Sequence, residues 1–150
     1  MYNTALRILN NSFDAEDMMQ ESFLIAFTKL STFKGEVTFG AWLKRIVINK
    51  CLTQLKKNNR FEEVKMEVYR EEQVNDDISI GSDLKPKFIL DAMNNLKDNY
   101  RIALNLHLIE GYDYEEISEI MNISYENSRT TISRAKSKLR KVLADEMSIR

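Results

Sequence analysis

Little in this sequence supports covalent chemistry or a turn-rich architecture. A single cysteine, Cys51, excludes an internal disulfide and fits a reducing cytoplasm, where the chain is expected to reside. A single histidine, His107, lies in the apolar run ALNLHLIEG and reads as a packing or helix-end residue. With no His/Cys cluster, no nucleophile elbow and no glycine-rich phosphate loop, neither a metal site, a cofactor site nor an enzyme is expected. Proline occurs once, at Pro86, and glycine only at positions 35, 40, 81 and 111, so few breaks interrupt the chain. There is no signal peptide and no apolar run of membrane-spanning length, so any membrane involvement is expected to be indirect. An excess of one charge is also lacking: 22 Lys and Arg face 23 Asp and Glu, for a net charge of −1. A domain that binds DNA unaided is usually strongly basic. Nucleic-acid binding here therefore has to come from segregated patches, with a larger partner supplying affinity.

What is present is helical periodicity almost throughout. It predicts helices near 3–10, 14–31, 39–57, 86–96, 99–109, 113–121 and 125–145, with no convincing strand. The fold class is all-α. From about Asn58 to Lys85 the pattern changes. Glu62, Glu63, Glu67, Glu71, Glu72, Asp76, Asp77 and Asp83 outnumber the cations and the apolar residues scatter. Residues 59–85 are read as an acidic linker, with a marginal helix across 61–73, between helical domains at 1–58 and 86–150.

Residues 111–143 carry the most information. A short acidic helix holds Tyr114, Ile117, Ile120 and Met121 on one stripe, with Glu115, Glu116 and Glu119 outside it. Asn122 suits a left-handed turn position and Ser124 an N-cap. The helix that follows turns Ile132, Ala135, Leu139 and Val142 inward. Its opposite side carries Glu126, Arg129, Thr130, Ser133 and Ser137, and Arg134, Lys136, Lys138, Arg140 and Lys141 make it basic. Such an element fits the major groove, with early residues at base edges and later cations on phosphates. This is a helix-turn-helix.

The first domain has signals of its own. In DAEDMMQESFLIAFTKL, Asp14 is expected to cap a helix whose buried face is Met19, Phe23, Ala26, Phe27 and Leu30. Asp17, Gln20, Glu21 and Leu24 share the other side, a mixture suited to docking on a basic partner helix. After a loop pinned by Gly35, FGAWLKRIVINKCLTQLKK is basic without a single acid. Phe39 and Trp42 stand at its start. Rings beside cations suit unstacked bases, which stack on the aromatic faces while the cations follow the backbone. Two non-enzymatic readings remain on these grounds. One is a DNA-reading subunit of a larger machine. The other is a stand-alone dimeric helix-turn-helix regulator, which would bind a palindrome and has no need of the basic, aromatic helix.

These segments, in this order, resemble the sigma factors of bacterial RNA polymerase, and most closely the two-domain extracytoplasmic function group. DAEDMMQESF resembles region 2.2, which binds core polymerase. FGAWLKRIVINKCLTQLKK resembles regions 2.3 and 2.4, which open and read the promoter −10 element. YRIALNLHLIEGYDYEEISEIMNISYENSRTTISRAKSKLRK resembles region 4, which reads the −35 element. The resemblance implies core-binding roles for Asp17, Gln20, Glu21 and Leu24. It implies −10 contacts by Lys34, Thr38, Phe39, Trp42, Arg45 and Asn49, the loop 33–38 capturing a flipped base. It implies −35 contacts by Ser124, Glu126, Arg129, Thr130, Ser133 and Arg134. The implied partners are core RNA polymerase, promoter DNA and an anti-sigma factor, often membrane-bound. Three departures from the family pattern stand out. Family members usually have about one more helix before the segment that begins here at Met1, so part of the first core is expected to be exposed. Ser128 stands where an apolar residue is usual. Glu126 stands where glycine is common, near the groove-entering end.

Overall fold

The computed structural model describes residues 1–58 and 85–148, which form seven α-helices with no strand among the described residues. The chain divides into two compact units, Met1–Glu62 and Glu63–Arg150. The acidic linker read at 59–85, and the marginal helix within it, lie outside the described residues apart from Lys85.

The first unit contains α1 (Tyr2–Leu9), α2 (Ser12–Lys29) and α3 (Phe39–Lys57), each packed on the other two. Two asparagines make the first corner. Asn10 closes α1 in the left-handed region (φ 53°), donating its N–H to the Leu6 carbonyl. Asn11 is extended (φ −150°) and its side chain accepts from the Asp14 N–H at 3.1 Å. The cap is thus Asn11 and not Asp14, and α2 begins earlier than its periodicity implied. Asp14 instead places its charge in the first turn, where the helix dipole favours an anion.

The buried face of α2 also differs from expectation. It is Ala15, Met18, Ser22 and Ala26. Phe23 is 45% exposed, Phe27 77% and Leu30 50%, while Met19 is half-buried. The physical reason is the closeness of the helices. Small side chains at Ala15, Ser22 and Ala26, with the flexible Met18 among them, let α2 lie against α1 and α3, and the Ser22 hydroxyl is satisfied by the Met18 carbonyl. Large rings do not fit there and point away. Against this stripe pack Ala5, Ile8 and Leu9 of α1 and Leu43, Val47, Ile48, Cys51, Leu52 and Leu55 of α3. Cys51 is fully buried, and burial pushes its thiol pKa up to about 12.

In the second unit, α4 (Pro86–Asn94) starts with its proline at a position that needs no N–H. α5 (Asp98–Leu104) runs into a π-turn at Asn105–Ile109, closed by the Glu110 N–H on the Asn105 carbonyl at 3.0 Å. Gly111 then takes φ 79° at the corner. α6 (Tyr114–Met121) and the long α7 (Tyr125–Ser148) follow. Ala92, Met93, Leu104, Ala135, Leu139 and Leu143 form one buried cluster of this unit, with Phe88, Ile89, Leu90, Leu96, Tyr100 and Val142 packed against it, and Ile102, Ala103, Leu106, Ile117 and Ile132 are also buried. Arg101 is almost fully buried among these helices and paired with Asp98, a buried charge that periodicity did not single out.

Candidate nucleic-acid interface

The α6–α7 corner is built from local side-chain chemistry. The Asp113 side chain accepts from the Glu116 N–H at 2.8 Å, and the Glu116 carboxylate accepts from the Asp113 N–H at 2.9 Å. This reciprocal cap fixes the start of α6. Asn122 ends it in the left-handed region (φ 55°, ψ 49°), as its position in the sequence implied. Ser124 caps α7, its oxygen accepting from the Asn127 N–H at 3.1 Å. Ile117, Ile120, Met121, Ile132, Ala135 and Leu139 are buried, whereas Tyr114 and Val142 are half-buried.

The unusual Ser128 is fully buried and accommodated. Its Oγ lies 2.9 Å from the Tyr114 carbonyl and 2.6 Å from that of Tyr125, so one hydroxyl proton serves both. The first of these contacts ties α7 to α6, which an apolar side chain could not do.

Helical spacing sets the outer face of α7. Glu126, Thr130, Ser133 and Ser137 follow one line, with Arg129 on one flank and Arg134 on the other. Glu126 and Arg129 are exposed, and Thr130, Ser133 and Arg134 are half-buried. The Thr130 hydroxyl donates to the Glu126 carbonyl at 2.9 Å. Arg129 lies between two rings: its guanidinium carbon is 6.0 Å from the Tyr114 centroid and 5.9 Å from that of Tyr125. Tyr114 in turn stacks on His107 (5.0 Å, 17°), whose Nδ1 is 2.9 Å from the Tyr112 carbonyl. The i,i+4 spacing of Tyr125 and Arg129 is visible in sequence. The approach of Tyr114 and His107 depends on the turn and is not.

On α3, Thr38 is the N-cap, its hydroxyl oxygen accepting from the Ala41 N–H at 3.2 Å. Trp42, Arg45 and Asn49 share one helical face away from the buried stripe, and exposed Lys56 continues that line. Phe39 and Trp42 meet Phe33, a residue absent from the sequence-based set. The ring centroids are 5.6 Å (Phe33–Phe39), 5.3 Å (Phe33–Trp42) and 5.6 Å (Phe39–Trp42) apart. Lys34 is exposed beside this cluster, and Gly35 (φ 73°) turns the loop. The arrangement offers aromatic surface and cations at one end of α3, which is what a splayed nucleotide requires.

On α2, Asp17, Gln20, Glu21 and Leu24 are all exposed. Glu21 pairs with Lys50 of α3 at 2.9 Å, a surface contact that orients its carboxylate. Phe13, Phe27 and Leu24, at 79%, 77% and 67% exposure, enlarge this side with apolar area.

Comparison with known proteins agrees with this geometry. Residues 1–61 match the family described as Sigma-70 region 2, and residues 89–139 match Sigma-70, region 4. The chain is similar to the ECF RNA polymerase sigma factor SigE of Mycolicibacterium smegmatis, with 31% identity over 99% of this chain and 59% of that one. It is 29% identical to the ECF RNA polymerase sigma factor SigW of Bacillus subtilis, over 97% of this chain and 83% of that protein. Against the ECF RNA polymerase sigma-E factor of Haemophilus influenzae it is 29% identical, over 82% and 71% respectively. The chain thus spans less than two thirds of the SigE relative but most of the other two. The fold is shared with the sigma factor RpoE solved in complex with the anti-sigma factor NepR from Bartonella quintana, at a TM-score of 0.66 and 22% identity over 95% of this chain and 89% of that one. Two sigma-70 regions in the right order, each folded as its own helical unit, place the chain in the sigma-70 family, within the extracytoplasmic function group of RNA polymerase sigma factors.

Proposed function

We propose that the protein is a non-catalytic promoter-specificity subunit of cytoplasmic RNA polymerase. The observation that carries this reading is the pairing of a helix-turn-helix unit with a second unit that has its own basic face and aromatic cluster. A regulator's dimerisation domain needs neither feature, so the stand-alone dimer is disfavoured.

In this reading the exposed side of α2, with Asp17, Gln20, Glu21 and Leu24, docks on the core enzyme. Trp42, Arg45 and Asn49 face the −10 strand. Lys34, Thr38 and Phe39, together with Phe33, receive a flipped base. Removing a base from its stack costs a few kcal/mol. Stacking on an aromatic ring returns about 1–3 kcal/mol per base, so a preformed three-ring cluster offsets most of that cost. On α7, Ser124, Glu126, Arg129, Thr130, Ser133 and Arg134 face the −35 element. Glu126 fits there as an acceptor for a cytosine amine, since its charge would repel a phosphate. The RpoE neighbour, solved with an anti-sigma factor, supports the expectation of such an inhibitor for this chain. Membrane contact would be through that inhibitor and not direct.

The test is a reconstitution. Size-exclusion chromatography should give a monomer, and promoter DNA should shift in a gel only when bacterial core polymerase is added. A homodimer that shifts a palindromic duplex without polymerase would establish the regulator instead.

A further inference from the structure

We propose that Tyr114 and Tyr125 are positioning residues that hold the Arg129 guanidinium so that its N–H edge meets a guanine in the upstream promoter element. The inference rests on the promoter-reading function proposed above and deepens it.

The two rings are nearly perpendicular (84°), with centroids 6.4 Å apart, and make a corner. The guanidinium carbon sits at almost equal distance from both, 6.0 and 5.9 Å. A cation in such a corner is attracted by the ring faces. The attraction acts on the charge and uses none of the five N–H donors, which stay available for hydrogen bonding. No carboxylate pairs with it among the described residues, and Glu126, one turn earlier, does not.

The corner is itself anchored. Tyr114 occupies the first position of a helix fixed by the Asp113–Glu116 cap. Its ring stacks on His107, and the hydrogen bond to the Tyr112 carbonyl orients that imidazole. Its carbonyl accepts from buried Ser128, the residue directly before Arg129. Ser128 also bonds the Tyr125 carbonyl, so both rings and the arginine branch from one tied segment.

A phosphate contact has no use for this order. Phosphate oxygens accept from any direction, and the later cations of α7 can serve them. A guanine does have a use for it. Its O6 and N7 accept a flat bidentate fork only in one orientation, and a free arginine seldom presents that orientation. Holding the fork beforehand converts a general cation into a base reader.

The experiment uses the full chain reconstituted with bacterial core polymerase. It selects transcribed templates from a promoter library randomised across the upstream element. The unsubstituted chain should prefer guanine at one position. Arg129→Ala should lower that preference about tenfold or more while other positions keep theirs. Tyr125→Leu should lower the same position's preference, and Tyr125→Phe, which keeps the ring, should retain it. Far-UV circular dichroism checks that each variant is folded, and exposed Tyr125 is chosen because its replacement leaves the core untouched. The inference is overturned if Arg129→Ala weakens all templates evenly and flattens the salt dependence by about one counterion, the signature of a phosphate contact. It is equally overturned if Tyr125→Leu leaves the guanine preference intact. An unsubstituted chain that selects no template defeats the functional reading and this inference with it. A selective chain with an unmoved profile defeats the inference alone.

Discussion

Replacing Phe27 by Ala should cost the first unit little stability, although Phe27 is among the bulkiest apolar residues of α2. The ring is 77% exposed, so less than a quarter of it is covered. An aromatic side chain buries about 150–250 Å² when fully enclosed. The covered part of Phe27 is then about 50 Å², which at about 25 cal/mol per Å² amounts to about 1 kcal/mol. A phenylalanine truncated inside a core costs about 3–5 kcal/mol. Its neighbour Ala26, 6% exposed, behaves in the opposite way. Enlarging it to Leu forces α2 away from the helices it touches and should cost about 1–3 kcal/mol through overpacking. Urea denaturation of the full chain, followed by the fluorescence of its one tryptophan, separates the two. Trp42 lies on α3 of the same unit, against Phe33 and Phe39, and reports its unfolding directly. If Phe27→Ala loses about 3 kcal/mol or more while Ala26→Leu is neutral, the face through Phe23 and Phe27 is the buried one and the packing described for α2 is wrong.

Three further outcomes are expected. Cys51, whose thiol pKa is raised to about 12 by burial, should resist thiol reagents in the native chain at pH 8 and react once unfolded. Because the folded pKa lies above the unfolded value of 9.0, its contribution to stability is complete below about pH 9 and is lost as pH rises toward about 12; Cys51→Ala should remove that part of the alkaline slope in urea titrations at stepped pH. Asp113→Ala should destabilise α6 by about 1–2 kcal/mol, and a double-mutant cycle with Glu116→Ala should be non-additive, since each carboxylate caps the other's amide; hydrogen exchange along α6 reads this out. Gln20→Ala with Glu21→Ala should weaken association with core polymerase and leave the unfolding free energy from urea titration within about 0.5 kcal/mol of the parent, because both side chains are exposed; unchanged affinity would count against this surface.

Chain-local features of this fold were readable, and tertiary ones were not. Helix positions followed from the scarcity of Gly and Pro and from a steady period, and the helix-turn-helix corner followed from two residues, Asn122 and Ser124, whereas the Asp113–Glu116 cap did not stand out. Each of these acts on backbone groups within four residues. The α2 face is ambiguous in the sequence because apolar residues occupy much of that helix's circumference. Met19, Phe23, Phe27 and Leu30 flank Ala26 on one side and Ala15, Met18 and Ser22 on the other, so Ala26 belongs to either stripe. Only the closeness of α1 and α3 decides between them. Asn11 does not stand out as a cap beside Asp14, which has the same chemistry, and the left-handed Asn10 that moves the helix start is a backbone fact. Phe33 lies only six residues before Phe39, yet its approach to both rings depends on how the Gly35 loop folds back. The Arg129 corner combines an i,i+4 pair with a ring from the preceding helix, so half of it was visible.

The charge pattern bears on how the two units could work together. A net charge of −1 gives the free chain almost no long-range attraction to DNA, and each unit alone presents only a modest set of cations. Phosphate contacts lose affinity steeply as salt rises, in proportion to their number, so neither surface would hold a promoter under cellular conditions. Held on polymerase, the second contact becomes intramolecular, and two weak affinities multiply through effective concentration without any new interaction. A more basic chain would gain affinity for every sequence alike and would bind DNA without the enzyme. On the proposed function, near-neutrality would therefore work in favour of selectivity. It would leave discrimination to oriented groups such as Arg129 and the Phe33–Phe39–Trp42 cluster, and make occupancy of DNA conditional on the partner.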